Sequence, residues 1–338
     1  MQKDRSIPFT AIPFFGIHLA CLLVFLPSIR EATTTTTIVL AIACFLIRKF
    51  GITGGYHRYF SHRTFKTSRF FQFVLAFLGG AAAQKGALWW AAHHRHHHKH
   101  SDQDEDVHSP ARDGIWWSHV GWVLSPMYNR TRYEMIKDMT KFPELVFLNN
   151  WHLVPIFVLG GICYLIDGWA GVVWGTFVST VFLYHTTFAI NSFCHMLGRR
   201  RFPTTDDSKN SLILALLTLG EGWHNNHHYY QNSVNQGFYW WQIDITYYVL
   251  RVLSWTGVVW ELRMPPERVL ALGRNPARLS EMMEQLKTSA AHATDRTREA
   301  ALAAAHAASE TATAAAHVAT ETAAKVASAV MPNPEPTP

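Results

Sequence analysis

Long uncharged runs alternate with polar, histidine-rich segments along this chain. Residues 12–29 and 32–47 form one pair of runs, separated by Arg30 and Glu31. Residues 145–166 and 168–194 form a second pair, separated by Asp167. Crossing a bilayer takes about 20 apolar residues, range ~17–25, so the second pair is long enough and the first is borderline. The turns within both pairs are very short, which argues against the core helices of a soluble protein. The pattern predicts an all-α integral membrane protein with four transmembrane helices in two hairpins, at about 12–29, 33–50, 147–166 and 169–192. Arg48 and Lys49, closing the second run, are expected to snorkel to the interface. Residues 70–84 and 212–220 are apolar but short or rich in small residues, and predict interfacial or half-buried helices.

Basic residues set the orientation. Lys3 and Arg5 precede the first run, Arg48 and Lys49 follow the second, and Arg199, Arg200 and Arg201 follow the fourth, whereas the two short turns carry only Arg30. Both termini and both long segments are therefore expected in the cytosol. The first run lacks a signal-peptide pattern and is read as a retained span. The expected organisation is a membrane domain over 1–265, whose helical cap is built from 51–145 and 195–265, then a linker or helix over 266–289. Residues 290–338 are rich in Ala, Thr and Glu with an eleven-residue spacing of Glu299, Glu310 and Glu321, and of His306 and His317. That spacing suits a straight or slightly right-handed helix, ending in a disordered proline-rich stretch at Pro332–Pro338.

Composition sharpens the chemistry. Charged residues are 16% of the chain and the net charge is +6, which argues against nucleic acid as a partner. The four cysteines (Cys21, Cys44, Cys163, Cys194) fall singly in or at the ends of the runs, so neither a disulfide framework nor a Cys-x-x-Cys site is expected. Histidine is the anomaly, with 20 residues, many of them clustered. His94, His97 and His98 stand at i, i+3 and i+4, and His224, His227 and His228 repeat that spacing. Such positions share one face of a helix, so each trio can aim at one point. His57 and His62 are five apart and converge only if their helix ends or distorts. Asn191 and His195 form an i, i+4 pair at the end of the fourth run. All of these segments lie on the expected cytosolic side. Nine imidazoles exceed the four ligands of a tetrahedral zinc site, so two metal ions are expected, and imidazole alone does not select iron, zinc or copper. His18, inside the first span, has no visible partner, and His18, His152 and His185 do not line up as a relay.

These motifs resemble the membrane fatty acyl desaturases of the stearoyl-CoA 9-desaturase type. The similarity runs from about Gly51 to Arg263 and includes Gly51 through Thr64, His94 through Lys99, Ser118-His-Val-Gly-Trp122, Asn191-Ser-Phe-Cys-His195 and Gly220-Glu-Gly-Trp-His224-Asn-Asn-His-His228. Lys141 through Glu144 and Gln236 through Asp244 resemble the bacterial branch. The resemblance implies a non-haem centre of two iron ions. Its ligands would be His57, His62, His94, His97, His98, His195, His224, His227 and His228, with Asn191 acting through a water. It also implies removal of two hydrogens from a long saturated acyl chain, usually at carbons 9 and 10, with O2 as co-substrate and two external electrons. The expected substrate is a long-chain acyl-CoA. Val123-Leu124-Ser125-Pro126 follows Gly121-Trp122 where animal relatives carry a basic pair, which leaves an acyl-lipid or an acyl carrier protein open. No haem-binding His-Pro-Gly-Gly motif occurs, so the electrons are expected from a separate donor such as a ferredoxin, a rubredoxin or cytochrome b5 with its reductase.

A greasy substrate requires an apolar tunnel. Trp90 and Trp223 are candidates to line it, and Ala41 and Phe45 are a candidate floor. Glu221 and Asp106 are candidates to hydrogen-bond ligand histidines. Arg95, Lys99 and Arg199–Arg201 suit an acidic donor protein or anionic lipid headgroups. Histidine in place of carboxylate is expected to leave the site cationic. The enzymatic rival is hydroxylation by the same centre, and the non-enzymatic one is a membrane metal carrier.

Overall fold

The computed structural model describes residues 3–289 and isolated positions between 292 and 308. Of the repeat positions, His306, Glu310, His317 and Glu321 lie outside the described residues, as does Pro332–Pro338; His292 and Glu299 are helical and exposed. Residues to Leu279 form one compact unit and those from Ser280 a second. The first unit carries all nine motif histidines.

The described chain is mostly helical. Among the described residues two helical stretches are long and apolar enough to cross a membrane, Thr35–Ser61 and Val154–Met196, and Ile12–Phe25 is a shorter apolar helix. The first expected span is thus cut short. Helix α1 (Ile12–Ala20) passes into a 3-10 segment, Cys21–Phe25. Leu26 is then extended, as the residue before a proline prefers, and Pro27 opens a separate short helix, Pro27–Ala32. The third run also breaks. Pro143–Asn150 is its own helix, and the apolar helix begins only at Val154, with Pro155 in its first turn.

Helix α2 (Thr35–Phe50) starts at a Thr34/Thr37 capping box. It runs without interruption into a wholly buried π-helix, Gly51–Ser61. The second run therefore extends well past Arg48 and Lys49, and these residues do not snorkel. Both are buried inside the bundle. Arg48 donates to the carbonyls of Cys44 (2.8 Å) and Ala81 (3.1 Å), to Thr180 Oγ1 (2.6 Å) and to Ser179 Oγ. Lys49 Nζ donates to Thr187 Oγ1 at 3.0 Å. A buried charge is tolerated only where its donors are satisfied, and the hydroxyl-rich face of the facing helix supplies the acceptors.

That facing element is the second long stretch. Its helix α5 (Val154–Gly171) is interrupted at Asp167 and at Gly168, whose φ is +54°, and the chain turns back there. A β-carbon on Gly171 would lie 2.4 Å from the carbonyl oxygen of Cys163, and one on Gly175 would lie 2.8 Å from its sulfur. The two arms of this hairpin thus pack backbone against side chain. Thr37 Oγ1 donates to the Asp167 carboxylate and fixes the turn against α2. After a π segment at Val172–Val178, the second arm continues as α6 (Ser179–Asn191) and breaks at Ser192.

The polar half is built around the π-helix. Helix α3 (Arg69–Gly80), capped by the Ser68 side chain, packs so closely that a β-carbon on Gly51 would lie 2.5 Å from Gly79 N. Helix α4 (Ala87–His100) carries the first histidine trio. Two short helices, α7 (Leu212–Leu217) and α8 (His224–Tyr229), precede α9 (Ile245–Trp255). A two-residue antiparallel ladder, Lys66 opposite Trp260 and Thr67 opposite Val259, closes this half.

A buried charge network ties these parts together. Arg58, on the π-helix, donates to Glu221 Oε1 at 2.9 Å, to the Val234 carbonyl at 2.7 Å and to Asp244 at 3.0 Å. Asp244 also accepts from the Tyr247 amide and so caps α9. Removing one partner of a buried ion pair leaves an uncompensated charge and costs about 3–5 kcal/mol. Asp244→Ala is accordingly expected to lower the melting temperature of the detergent-purified protein strongly. An unchanged melting temperature contradicts this role for the network.

Candidate metal centre

The nine motif histidines gather into two adjacent groups. In one, the ring nitrogens of His57, His62, His94, His98 and His227 all lie within 4.8 Å of one another; in the other, those of His97, His195, His224 and His228 do. The local backbone explains each placement. A π-helix bonds residue i to i+5, and the His62 amide donates to the His57 carbonyl at 3.2 Å, so the distortion that the five-residue spacing requires is present. The i, i+3, i+4 trios do not each serve one point as expected. His94 and His98 face the first group and His97 the second, while His224 and His228 face the second and His227 the first. Positions four apart form the nearer column of a helix face, and position i+3 sits to its other side. Each trio is therefore split, and α4 and α8 both serve both groups. Asn225 and Asn226 lock α8 in place: Asn225 Oδ1 accepts from the Arg201 and Phe202 amides at 2.7 Å, and Asn226 Nδ2 donates to the Gln236 carbonyl at 2.9 Å.

The ring nitrogens converge at distances a metal would set. His57 and His227 approach at Nε2···Nε2 3.0 Å, His62 and His94 at 2.9 Å, His94 and His98 at 3.0 Å, and His195 and His224 at 3.1 Å. Two nitrogens each about 2.1 Å from one ion and at right angles to each other stand ~3.0 Å apart. His97 Nε2 and His228 Nε2 are buried without a hydrogen-bond partner. These lone pairs fit metal ions, and the residues present suit the donor set.

Four carboxylates hold the rings from behind. Glu221 Oε2 lies 2.5 Å from His57 Nδ1, Asp106 Oδ1 2.8 Å from His97 Nδ1, Asp102 Oδ2 2.8 Å from His195 Nδ1, and Asp206 Oδ2 2.6 Å from His228 Nδ1. A carboxylate on Nδ1 fixes that nitrogen as the donor and leaves the Nε2 lone pair facing inward. Glu221 and Asp106 are the two carboxylates the sequence offered, and they lie against His57 and His97; Asp102 and Asp206 were missed. The acidic run 102–106 and the Asp206-Asp207 pair were the available signals. The expectation of a cationic site counted no carboxylates; two divalent ions, when bound, would set four positive charges against these four. The match is uneven, with one carboxylate behind the five-histidine group and three behind the four-histidine group.

Electrostatics favour ligand forms. Burial, with repulsion between neighbouring rings, holds His62, His94, His98, His224 and His227 well below the usual imidazole range, so they are neutral. Burial acts on His97 in the same sense, but Asp106 outweighs it and the net shift is upward. Burial opposes ionisation of Glu221, yet His57 and Arg58 hold it down at about 2. Asp102, Asp106 and Asp206 are likewise depressed by their histidines against burial.

The remaining candidates fall as follows. Trp90 stacks on His94 (centroids 4.8 Å apart) and lines a small cavity with His94, Asn191, Thr187 and Gln84. This cavity shares Gln84, Trp89, Val123 and Phe188 with a largely apolar one of about 1190 Å³, which runs between α1, α5 and α6. Trp223 is buried elsewhere, its Nε1 donating to the Ile243 carbonyl at 2.8 Å. Ala41 and Phe45 line neither cavity, and Phe45 packs on Phe182. Arg95 is not free to receive a partner, because it pairs with Asp138 at 2.8 Å and donates to the Phe60 and Ser61 carbonyls. His108 stacks on His97. His18 does have a partner: its Nε2 lies 3.1 Å from His185 Nε2.

Comparison with known proteins agrees with this geometry. The profile of the fatty acid desaturase family matches residues 33–260. The chain is 38% identical over 276 residues to the sn-1 stearoyl-lipid 9-desaturase of Synechocystis, covering 80% of this chain and 85% of that one. It is 35% identical to the sn-1 stearoyl-lipid 9-desaturase of Anabaena variabilis (75% and 93% covered). It is also 35% identical to the acyl-CoA C20 Delta5-desaturase of Anemone leveillei (75% and 80% covered).

Loss of a carboxylate behind a ligand histidine typically weakens metal binding about 10–100-fold. Asp206→Asn is expected to weaken one of two metal equivalents by that factor and to spare the other, as read by metal titration. Equal weakening of both, or of neither, contradicts two separate centres.

Proposed function

The chain belongs to the fatty acid desaturase family, and from that premise we propose that it is a membrane di-iron desaturase that places a cis double bond between carbons 9 and 10 of a long saturated acyl chain. The observation that carries this reading is the pair of adjacent all-histidine groups, one of which meets a small cavity at His94. In this reading His57, His62, His94, His98 and His227 hold one iron, His97, His195, His224 and His228 the other, and Asn191 acts through a water. Bound iron supplies the oxidising power that an unactivated C–H bond demands. The overall change is balanced when two hydrogens leave adjacent methylenes and O2, two electrons and two protons become two waters.

The protein's own residues do the remaining tasks. Trp90, flat against His94, borders the small cavity where the reacting methylenes lie. Val123, Leu124 and Phe188 continue the apolar lining into the larger cavity, which exceeds the ~300–1,000 Å³ of typical small-molecule pockets and receives the rest of the chain. The carboxylates keep the ligand rings oriented without touching substrate.

The proposed topology has four crossings in two hairpins: Ile12–Phe25, Thr35–Ser61 and the two arms of Val154–Met196. Both termini and the histidine groups face the cytosol of a bacterial inner membrane. The carrier we favour is a membrane lipid and not CoA. Val123 and Leu124 follow Gly121-Trp122 and face apolar space where CoA phosphates would need cations, and the two cyanobacterial relatives are named for action on stearoyl lipids. Electrons come from a separate carrier such as a ferredoxin, a rubredoxin or cytochrome b5.

Expression in a host lacking 9-unsaturated fatty acids tests the reaction. Methyl esters from cells making the wild type should show a 9-monoene short of two hydrogens, and cells making His97→Ala should show none. A product with one added oxygen indicates hydroxylation instead. Purified protein given stearoyl lipid in vesicles, or stearoyl-CoA, with donor and O2 separates the carriers; turnover of the CoA ester alone contradicts the lipid reading.

A further inference from the structure

A second set of histidines lies outside the metal groups. From the Phe14 carbonyl the contacts run to His18 Nδ1 (2.7 Å), from His18 Nε2 to His185 Nε2 (3.1 Å), from His185 Nδ1 to His119 Nε2 (3.1 Å) and from His119 Nδ1 to Ser192 Oγ (2.9 Å). Ser192 Oγ in turn reaches the Phe188 carbonyl (3.0 Å). His185 uses its two nitrogens for different neighbours, so the rings form a line and do not share a point as metal ligands would.

The protons along this line do not balance. Both ends are carbonyl oxygens, which can only accept. Five hydrogen bonds therefore need five protons, but three neutral imidazoles and one hydroxyl carry only four. With all rings neutral, some contact must set two lone pairs against each other. One added proton, turning one imidazole into imidazolium, lets every contact be a hydrogen bond.

The defect costs least at the least enclosed ring. His185 is exposed and His18 and His119 are half-buried, whereas Ser192 is buried, which places the unmade bond on His185, where its contact with His18 is one of the two it makes. The contact with His18 joins α1 to α6. None of the residues of α1 from Ile12 to Ala20 is buried; the helix also packs on the π segment Val172–Val178, and Phe14 stacks on Tyr184 at 5.5 Å. Phe14 and Ile17 on one side, and Tyr184 and Phe188 on the other, line the large apolar cavity.

We propose that His18, His185, His119 and Ser192 form a single-proton latch that holds α1, one wall of the acyl cavity, against α6. The latch is made when the line carries its extra proton and released when it does not. The groups around it are aromatic: Phe14 and Tyr184 beside His18, Phe188 beside His185, and Phe188 with Phe193 beside His119. Among the described residues no carboxylate pairs with these rings, so the extra proton has only the line itself to sit on. Burial, then the neighbouring His185 ring, lowers His119. A group that binds its proton weakly contributes the latch at low pH and loses it as pH rises, here below the ordinary imidazole value of about 6.5. The inference needs only the cavity wall and not the identity of the substrate, so it stands or falls apart from the desaturase reading.

Backbone amide hydrogen exchange of the full-length protein in nanodiscs tests it, with protection of the 9–25 peptide corrected for the intrinsic pH dependence. In the wild type, protection should rise several-fold from pH 7.5 to pH 5.5. His185→Phe should abolish the rise and stay weakly protected. Ser192→Ala shortens the line to three bonds served by three protons, so it should show the wild type's acid-form protection already at pH 7.5. A merely structural serine predicts the opposite, weaker protection at every pH. A wild-type profile without pH dependence, or Ser192→Ala less protected than the wild type at pH 7.5, overturns the proposal.

Discussion

Everything in this protein depends on holding nine imidazoles pointed inward at two neighbouring places. Lone pairs packed about 3 Å apart repel, and buried rings with no water to satisfy them are costly. The chain tolerates that cost because four carboxylates anchor the rear nitrogens and because metal ions fit the space in front. The anchoring is itself anchored: Glu221, behind His57, is held by Arg58, and Arg58 by Asp244. One buried network therefore joins the π-helix, the loop before α8 and the start of α9. The uneven supply, one carboxylate behind five histidines and three behind four, makes the two places electrostatically different. An ion held at the four-histidine group would sit in the more negative surroundings.

The histidine motifs were legible in the sequence because metal ligation needs particular residue types at particular spacings. The division of labour among them was not. A trio at i, i+3, i+4 reads as one face, yet two adjacent groups split that face between them, and no spacing rule says how many groups there are. The His57/His62 spacing did announce a distortion, which the π-helix supplies. Asp102 and Asp206 were hidden because carboxylates near a metal look like any acidic loop until the chain folds them behind a ring.

The apolar runs were legible and their ends were not. Pro27 and Pro155 cut two of them, as proline does when its missing amide and its ring disrupt a continuing helix. Arg48 and Lys49 read as a membrane boundary, but their side chains turn inward to hydroxyls and carbonyls on neighbouring segments, several of them more than a hundred residues away in sequence. Such acceptors cannot be seen in a local window. The same holds for His18 and His185, unpartnered along the chain and adjacent in space.

The central claim is two iron-binding places per chain, built from nitrogen. Iron content measured on protein purified after iron-replete growth, with zinc counted on the same sample, addresses it most directly. Two irons per polypeptide, with zinc making up any shortfall, is the predicted result. A total of one metal ion or fewer per polypeptide contradicts the account.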